Sequence, residues 1–454
     1  MAAVYLLKNR KKRVEQGHPW IFQNEVERVE GEPAPGSVLP IYNHLGQYVA
    51  SGYYNPKSQI VVRVVSTQPL TAMDRDSFIA RFRECKSHRS RFLPDADACR
   101  MVYGEADFLP GLIVDKFADV LVVQLLTLGM DVCREAIAEA LKEVFQPAAI
   151  YERSDVPVRE REGLEMRKGP IFGECPDRVQ ITENGLRIVV DVREGQKTGY
   201  FFDQRENRAA IKPLMLGWGT RSGIHLEERE EDGELRHVPV NANGKEVTFP
   251  YWDGANVLEC FSHTGSFTLN ACKYGAKKVT CLDISEHAVE SAKRNVELNG
   301  FQDRVEFVVA DAFDYLRTQV KGVEERKLRG TAAEKKVDTS KPLTPGGRTW
   351  DVVILDPPAF AKSRSAVEGA CRGYKDINLH GMKLVNEGGY LVTASCSFHV
   401  SPERFLDTIH EAAADAGKVL RLLDFRAAGK DHPRILGVDE GNYLKFAIFE
   451  VRSR

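Results

Sequence analysis

Cys396 stands where a buried strand is expected to end. It follows the run LVTAS (391–395) and precedes Ser397 and Phe398. A free cysteine is most often an inert, buried, small hydrophobe, whereas a partly exposed thiolate is a strong nucleophile. The choice between these two roles depends on which residues the fold brings to the same strand end.

Acidic residues follow or end four further predicted strands, and they are Glu259, Asp283, Asp311 and Asp356. Strands alternate with helices over residues 256–316, so these carboxyl ends should share one edge of a parallel sheet. An acid after the second strand can accept hydrogen bonds from ribose hydroxyls, and one after the third can accept them from an adenine amino group. The loop between Glu259 and Gly265 lacks the full glycine fingerprint of a pyrophosphate site. The pattern therefore favours a nucleoside cofactor without phosphates, S-adenosylmethionine.

The fourth strand end is the most specific, because Asp356 is followed by two prolines in LDPPAF (355–360). Prolines remove backbone donors and stiffen the turn, so the carboxylate can be held toward a planar substrate, with Phe360 available for stacking. A sharp turn with a core phenylalanine is the alternative. Asp-Pro-Pro at this position of a parallel sheet is typical of enzymes that methylate a base.

The predicted fifth strand places Cys396 beside Asp356. The C5 atom of a pyrimidine is too weak a nucleophile to attack a sulfonium methyl unaided. A thiolate that adds at C6 creates an enamine with its electron density at C5, which is covalent catalysis in its general form. We therefore interpret Cys396 as a nucleophile.

Three domains are expected to carry these residues. Residues 1–70 alternate short apolar runs with turns, which indicates a small β-barrel or β-sandwich, and residues 71–185 form a mixed α/β domain. Residues 186–454 complete the α/β fold class, with polar insertions at 212–253 and 319–348.

Composition restricts the partners. The formal net charge is -2, so nucleic acid would have to bind through local patches. No apolar run approaches the roughly 20 residues of a membrane span, and the N-terminus lacks a signal-peptide pattern, which predicts a cytoplasmic protein. The nine cysteines form no close Cys-x-x-Cys pairs, so no metal is expected.

Basic and aromatic residues are mixed in the segment 7–26. Lys11, Lys12 and Arg13 could pair with phosphates while Trp20 stacks on a base, which would make the first domain an RNA-binding domain. The alternative is a solvated basic edge over core aromatics.

Several long motifs resemble one known family, the bacterial 23S ribosomal RNA cytosine-C5 methyltransferases of the large-subunit methyltransferase I type. They are GHPWIFQNEV (17–26), VYGEADFLPGLIVDKF (102–117), GQKTGYFFDQRENR (195–208), LECFSHTGSFTLNA (258–271), LDPPAF (355–360) and SCS (395–397). The resemblance implies a PUA domain, a central α+β domain and a class I methyltransferase domain with a mostly parallel seven-stranded sheet.

The resemblance also implies roles for individual residues. Cys396 matches the nucleophile and Asp356 the acid that orients the base. The positions implied to bind the cofactor are Glu259, Phe261, Thr264, Gly265, Asp283, Ile284, Asp311, Ala312, Lys197, Tyr200 and Asp203. Lys11, Lys12, Arg13, Trp20, Arg205 and Phe360 are assigned to RNA. The implied partner is 23S ribosomal RNA, with no membrane contact and with a homodimer as a further expectation.

Two departures and two alternatives stay open. The insertions are longer than this type of enzyme leads us to expect, so the target nucleotide is not fixed. Ala359 follows the prolines, where a second cysteine helps product release in other cytosine methyltransferases, so Asp356 or water must accept the C5 proton. The alternative functions are an exocyclic-amine RNA methyltransferase and a non-catalytic RNA-binding assembly factor.

Overall fold

The structure is a computed structural model that describes residues 2–218, 224–231, 234–247, 254–330 and 346–454. The chain divides into two compact units, Met1–Gln204 with Gly429–Gly441, and Arg205–Ala428 with Asn442–Arg454. The division lies later than the predicted boundary at residue 186. The reason is that the segment from residue 186 pairs with the strand before it and so stays in the first unit.

The first unit begins with a six-stranded sheet of order β2-β6-β5-β4-β1-β3. Its strands are β1 (Ala3–Leu6), β2 (Trp20–Phe22), β3 (Val26–Glu30), β4 (Val38–Tyr42), β5 (Tyr48–Tyr54) and β6 (Ile60–Ser66). Alternate residues such as Val4, Leu6 and Ile41 are fully buried and form the core of this layer. The predicted small β domain is confirmed.

A five-stranded sheet with helices follows in the same unit, in the order β11-β10-β9-β8-β7. Its elements are α1 (Arg75–Phe92), β7 (Ala98–Tyr103), β8 (Leu112–Phe117), β9 (Val120–Leu125), α2 (Leu128–Val132), α3 (Arg134–Phe145), β10 (Ala149–Ser154) and β11 (Arg167–Phe172). Asp74 caps α1 by accepting a hydrogen bond from the backbone N–H of Ser77. The hairpin β12 (Arg178–Glu183) and β13 (Leu186–Asp191) completes the series.

The second unit contains a seven-stranded sheet of order β18-β17-β16-β19-β20-β22-β21. Its first elements are α4 (Arg205–Ala210), β14 (His225–Glu231), β15 (Glu234–Val240), β16 (Asn256–Cys260), α5 (Ser266–Lys273), β17 (Lys278–Asp283), α6 (Glu286–Leu298), β18 (Val305–Val309) and α7 (Ala312–Gly330). The remaining elements are β19 (Trp350–Leu355), α8 (Val367–Lys383), β20 (Val385–Ser395), α9 (Pro402–Asp415), β21 (Lys418–Arg426) and β22 (Lys445–Ser453). Strands β16 to β20 are parallel and β22 is antiparallel to β20. This confirms the predicted, mostly parallel seven-stranded sheet.

Local sequence explains these elements. Ser285 caps α6 through the backbone N–H of Ala288, which confirms the predicted helix start. The strand β19 is buried at every position, as expected for a central parallel strand covered by helices on both faces. Its residues join those of α7, α8 and α9 in one hydrophobic core.

The two predicted insertions are only partly visible. The first contains the hairpin β14–β15, while residues 219–223, 232–233 and 248–253 lie outside the described residues. In the second, α7 continues to Gly330, and residues 331–345 lie outside the described residues. No helix in the described ranges has the length and apolar character needed to cross a membrane.

Candidate active site

The strand ends meet at one edge of the second sheet. Register pairs Cys260 with both Leu282 and Leu355, and pairs Leu355 with Thr393. Asp356 therefore follows β19 at the level where β20 approaches Cys396. Neighbouring parallel strands lie about 5 Å apart, so the predicted acids and the cysteine share a single edge.

The loop after β16 makes a tight turn at this edge. Phe261, His263 and Gly265 all adopt left-handed backbone conformations, with φ of 63°, 49° and 75°. A Cβ on residue 265 would lie 2.9 Å from the Cβ of Ala292, so only glycine fits between the loop and α6. The loop is also fixed by Asn295, whose side chain donates to the Thr264 carbonyl at 3.2 Å.

Asp283 holds this loop while facing the edge. Its Oδ2 accepts from the backbone N–H of His263 at 2.9 Å, and its Oδ1 accepts from that of Ser285, also at 2.9 Å. A carboxylate offers about four lone-pair positions, so two remain for ribose hydroxyls. The neighbouring Ile284 is an apolar side chain that is 67% exposed.

Asp311 caps the next helix at the same edge. Its Oδ1 accepts from the backbone N–H of Asp314 at 3.2 Å, one turn into α7, and the intervening Ala312 is buried. The capping role that strand-end acids often have is thus present for Asp311. One carboxylate oxygen is available for a ligand group as well.

Glu259 is the most buried of the acids. Its Oε2 accepts from the backbone N–H of Thr268 at 2.7 Å and from the hydroxyl of the same residue. Burial raises the pKa of this carboxyl to about 8; the Thr268 hydrogen bonds lower it, and the charges of Asp356 and Asp283 raise it further. The acid-rich edge therefore favours a cationic ligand.

Cys396 lies against the Asp-Pro-Pro turn. Its Sγ is 3.7 Å from the carbonyl oxygen of Pro357, and the side chain is partly exposed. Cys133 is the other partly exposed cysteine, whereas the remaining seven are buried. Burial raises the thiol pKa of buried residues such as Cys85 and Cys272 to about 12, which makes them poor nucleophiles.

Ser397 joins the segment after β19 to the end of β20, which sequence patterns did not predict. Its Oγ accepts from the backbone N–H of Ala361 at 3.0 Å and lies 2.8 Å from the hydroxyl of Tyr374 on α8. Ser397 is fully buried. A buried serine next to a candidate nucleophile is recognisable only when its partners are known.

A PUA-like domain model matches residues 4–67, and a methyltransferase domain model matches residues 252–425. The ribosomal RNA large subunit methyltransferase I of Aeromonas salmonicida is 37% identical over 453 residues, which cover 99% of each chain. Its counterpart from Vibrio cholerae is 37% identical over 449 residues, or 98% of each chain. The chain belongs to the ribosomal RNA large subunit methyltransferase I family.

Solved structures share the fold of this family member along its whole length. A protein assigned as a methyltransferase and solved with SAH has a TM-score of 0.73 at 19% identity, covering 99% of this chain and 100% of that one. A Streptococcus mutans protein assigned as an S-adenosylmethionine-dependent methyltransferase has a TM-score of 0.72 at 18% identity, with the same coverage. The whole-length match and the domain model agree on a methyltransferase fold. S-adenosylmethionine remains the cofactor that the sequence predicts.

The acid edge of the methyltransferase fits this cofactor. S-adenosylmethionine carries a sulfonium and an ammonium, which the carboxylates of Asp283 and Asp356 complement. Exposed Ile284 offers apolar surface for a nucleoside ring beside Asp283, the residue predicted to bind the ribose.

Three residues expected to bind the cofactor belong to the first unit instead of the unit that carries the acids. Tyr200 is 2% exposed, and its hydroxyl donates to Glu183 at 3.0 Å, which favours a structural role. Asp203 is buried, and the ammonium of Lys197 lies 4.5 Å from the Phe201 ring centroid. Their assignment to the cofactor stays a prediction.

Two residues assigned to RNA in the second unit have little free surface, since Phe360 is half-buried and Arg205 is buried. Phe360 packs on Tyr374 and Phe313, with ring centroids 4.7 and 5.8 Å away. This contact supports the core alternative over base stacking. Arg205 is buried at the start of α4, so its guanidinium offers little surface. Phe398, which is 40% exposed two residues after Cys396, is better placed to stack on a base.

The basic segment of the first unit is only partly available to RNA. Lys11 and Lys12 are exposed, as predicted for phosphate contacts. Arg13 instead forms an ion pair with Glu25 at 3.0 Å, and its guanidinium lies over the ring of Phe22. The indole N–H of Trp20 donates to Glu105 at 2.8 Å, so this half-buried ring is held in place within the unit.

Replacement of Asp283 by alanine should weaken S-adenosylmethionine binding by about 1 to 3 kcal/mol, because ribose hydroxyls and the His263 amide would lose their acceptor. Isothermal titration calorimetry measures this change. Asp303→Ala, at an exposed position outside the edge, is the matched control and should change affinity by less than about 0.5 kcal/mol. An unaltered affinity for Asp283→Ala would remove this residue from the cofactor site.

Proposed function

We propose that this methyltransferase forms 5-methylcytosine in 23S ribosomal RNA through a covalent adduct between Cys396 and C6 of the cytosine. The observation that carries the proposal is the position of Cys396. Its partly exposed thiol lies 3.7 Å from the Pro357 carbonyl, in the turn that presents Asp356. The relatives described above are named for ribosomal RNA of the large subunit, which supports the substrate class.

The chemistry requires a nucleophile at this place. The thiolate of Cys396 adds to C6, and the electrons of the C5–C6 double bond move to form an enamine with a nucleophilic C5. The cofactor supplies an electrophilic methyl group, which C5 accepts. The C5 proton then passes to the Asp356 carboxylate or to water. The electrons of the broken C5–H bond restore the C5–C6 double bond and expel the thiolate from C6. This step regenerates the enzyme.

Asp356 is suited to orient the base. Its carboxylate can accept a hydrogen bond from the exocyclic amino group of cytosine, which uracil lacks. Pro357 and Pro358 fix the backbone of the turn, so the acceptor is positioned before the substrate arrives. The proposal thus gives Asp356 a role in choosing cytosine as well as in holding it.

The exocyclic-amine alternative gains no support from the site. The position directly after the prolines is Ala359, and the next aromatic ring, Phe360, packs against Phe313 and Tyr374 in the core. A base methylated at its amino group would therefore lack an aromatic platform from this turn. That mechanism would also leave the exposed thiol of Cys396 without a role.

Cys396→Ala should abolish 5-methylcytosine formation yet change S-adenosylmethionine affinity by no more than about threefold, because the thiol acts only in the chemical step. The measurement is nucleoside mass spectrometry of 23S ribosomal RNA from a deletion strain that expresses the variant. Cys133→Ala, which removes the other partly exposed thiol, should restore the modification. If the Cys396→Ala strain also contains wild-type levels of 5-methylcytosine, the covalent mechanism is wrong.

The exposed lysines of the N-terminal segment should contribute to RNA binding through phosphates. Replacement of Lys8, Lys11 and Lys12 by alanine should raise the RNA KM with little change in kcat, because these residues lie far from the chemistry in sequence. The slope of log affinity against log salt should fall by up to about 0.7 per lost contact. Filter binding at several salt concentrations measures this slope.

The matched control replaces Arg28 and Lys57, which are exposed basic residues of the same unit outside the cluster. This control should keep the wild-type slope. An unchanged slope in the triple variant would show that the lysines are only a solvated face.

A further inference from the structure

Lys445 is a buried cation beside the end of the catalytic strand. It begins β22, pairs with Ser395 across the antiparallel ladder and is only 1% exposed. An ammonium removed from water is costly unless it is compensated, so a buried lysine usually has a specific electrostatic partner. Nothing in the proposed mechanism has used this residue.

The hydrogen bonds of Lys445 use only two of the three N–H groups of its ammonium. Its Nζ donates to the carbonyl oxygens of Ser397 at 2.6 Å and of Tyr443 at 2.7 Å. Both acceptors are neutral, and within the described part of the chain no carboxylate forms an ion pair with it. An ammonium has three donors, so a third N–H remains for the residue that precedes Ser397.

The position of Cys396 makes it the candidate, because it lies between Ser395, the partner of Lys445 in the ladder, and Ser397, whose carbonyl accepts from the ammonium. Burial lowers the pKa of Lys445 to about 8, and a negative charge on Cys396 raises it. By linkage, an ammonium at Lys445 favours the thiolate form of Cys396. The two groups therefore stabilise each other in their charged forms.

The groups around Cys396 oppose the ionisation of its thiol. Tyr374 on α8 interacts electrostatically with Cys396, and burial raises the pKa of its hydroxyl. Asp356 directly precedes Pro357, whose carbonyl oxygen lies 3.7 Å from the sulfur. A carboxylate near a thiol opposes its ionisation, as does any burial of the sulfur. A thiolate at this edge thus requires a nearby positive charge.

We propose that Lys445 is a positioning residue that keeps Cys396 ionised, by placing its ammonium beside the sulfur and by holding the Ser397 carbonyl that follows it. The inference rests on the proposed covalent function and deepens it. The Cys396 thiol loses its proton to solvent, and the Lys445 ammonium, which stays protonated, stabilises the resulting thiolate by its charge. Elimination of the methylated base returns the same thiolate to the same ammonium.

The test is the alkylation rate of Cys396 by iodoacetamide as a function of pH, without RNA or cofactor. The rate is followed by mass spectrometry of the peptide that contains Cys396, with Cys133 in the same samples as an internal control. In the wild-type protein the midpoint should lie below about 8.5, the ordinary value of a cysteine thiol. A wild-type midpoint at or above that value would overturn the proposal without the use of any variant.

Three variants separate charge from hydrogen bonding. Lys445→Met removes both, Lys445→Gln keeps a donor without charge, and Lys445→Arg keeps the charge. The Met and Gln variants should alkylate Cys396 about tenfold more slowly at pH 7 for each unit by which its midpoint rises, whereas Arg should stay near the wild type. A purely structural role predicts instead that Gln resembles the wild type.

Folding and function are controlled separately. Slow alkylation of Cys133 and unchanged calorimetric binding of S-adenosylmethionine show that a variant is folded. If the Met and Gln variants satisfy both criteria and keep the wild-type profile, Lys445 does not ionise Cys396. That failure would leave the proposed function intact, because the function fails only if Cys396→Ala still forms 5-methylcytosine.

Discussion

The hydrogen bonds of Ser397 are the constraint on which the geometry of the proposed catalytic site depends. Strands β19 and β20 are parallel, so their ends would otherwise continue as two independent loops. Ser397 joins them, because its hydroxyl accepts from the Ala361 amide and contacts the Tyr374 hydroxyl within the core. The residue before it, Cys396, is thereby held against the Asp-Pro-Pro turn. Since all these groups are buried, loss of one partner would leave an unsatisfied polar atom, and the arrangement resists rearrangement.

A cationic cofactor and an anionic thiolate require opposite charges around them. A cationic cofactor favours an edge rich in carboxylates, and Asp283 and Asp356 supply this at the ends of β17 and β19. Burial raises the pKa of Glu259 to about 8, and the neighbouring charges of Asp356 and Asp283 raise it further. Negative charge of this kind also disfavours a thiolate. In the proposed arrangement, Lys445 meets both requirements by adding one positive charge next to the segment that carries the cysteine. A single sheet edge can then hold both a cation-binding half and an anionic nucleophile.

The sequence predicted the elements well because periodicity and caps act locally. The parallel strands, the Ser285 cap and the place of Cys396 all follow from such patterns. Side-chain direction was harder to predict, because it depends on residues distant in sequence. Phe360 was expected to stack on a base, yet it packs on Phe313 and Tyr374. Arg13 was expected to meet phosphate, yet it pairs with Glu25. Lys445 was missed for the same reason, since only the β20–β22 pairing brings it near the nucleophile.

The most direct test of the covalent mechanism uses target RNA that contains 5-fluorocytidine. Fluorine at C5 cannot leave as a proton does, so the reaction should stop after methyl transfer with the base still attached to sulfur. Mass spectrometry of the digested complex should then find the nucleotide on the peptide that carries Cys396, and only when S-adenosylmethionine is present. Failure to trap any adduct on an RNA that is otherwise methylated, or an adduct on a different residue, would contradict the account.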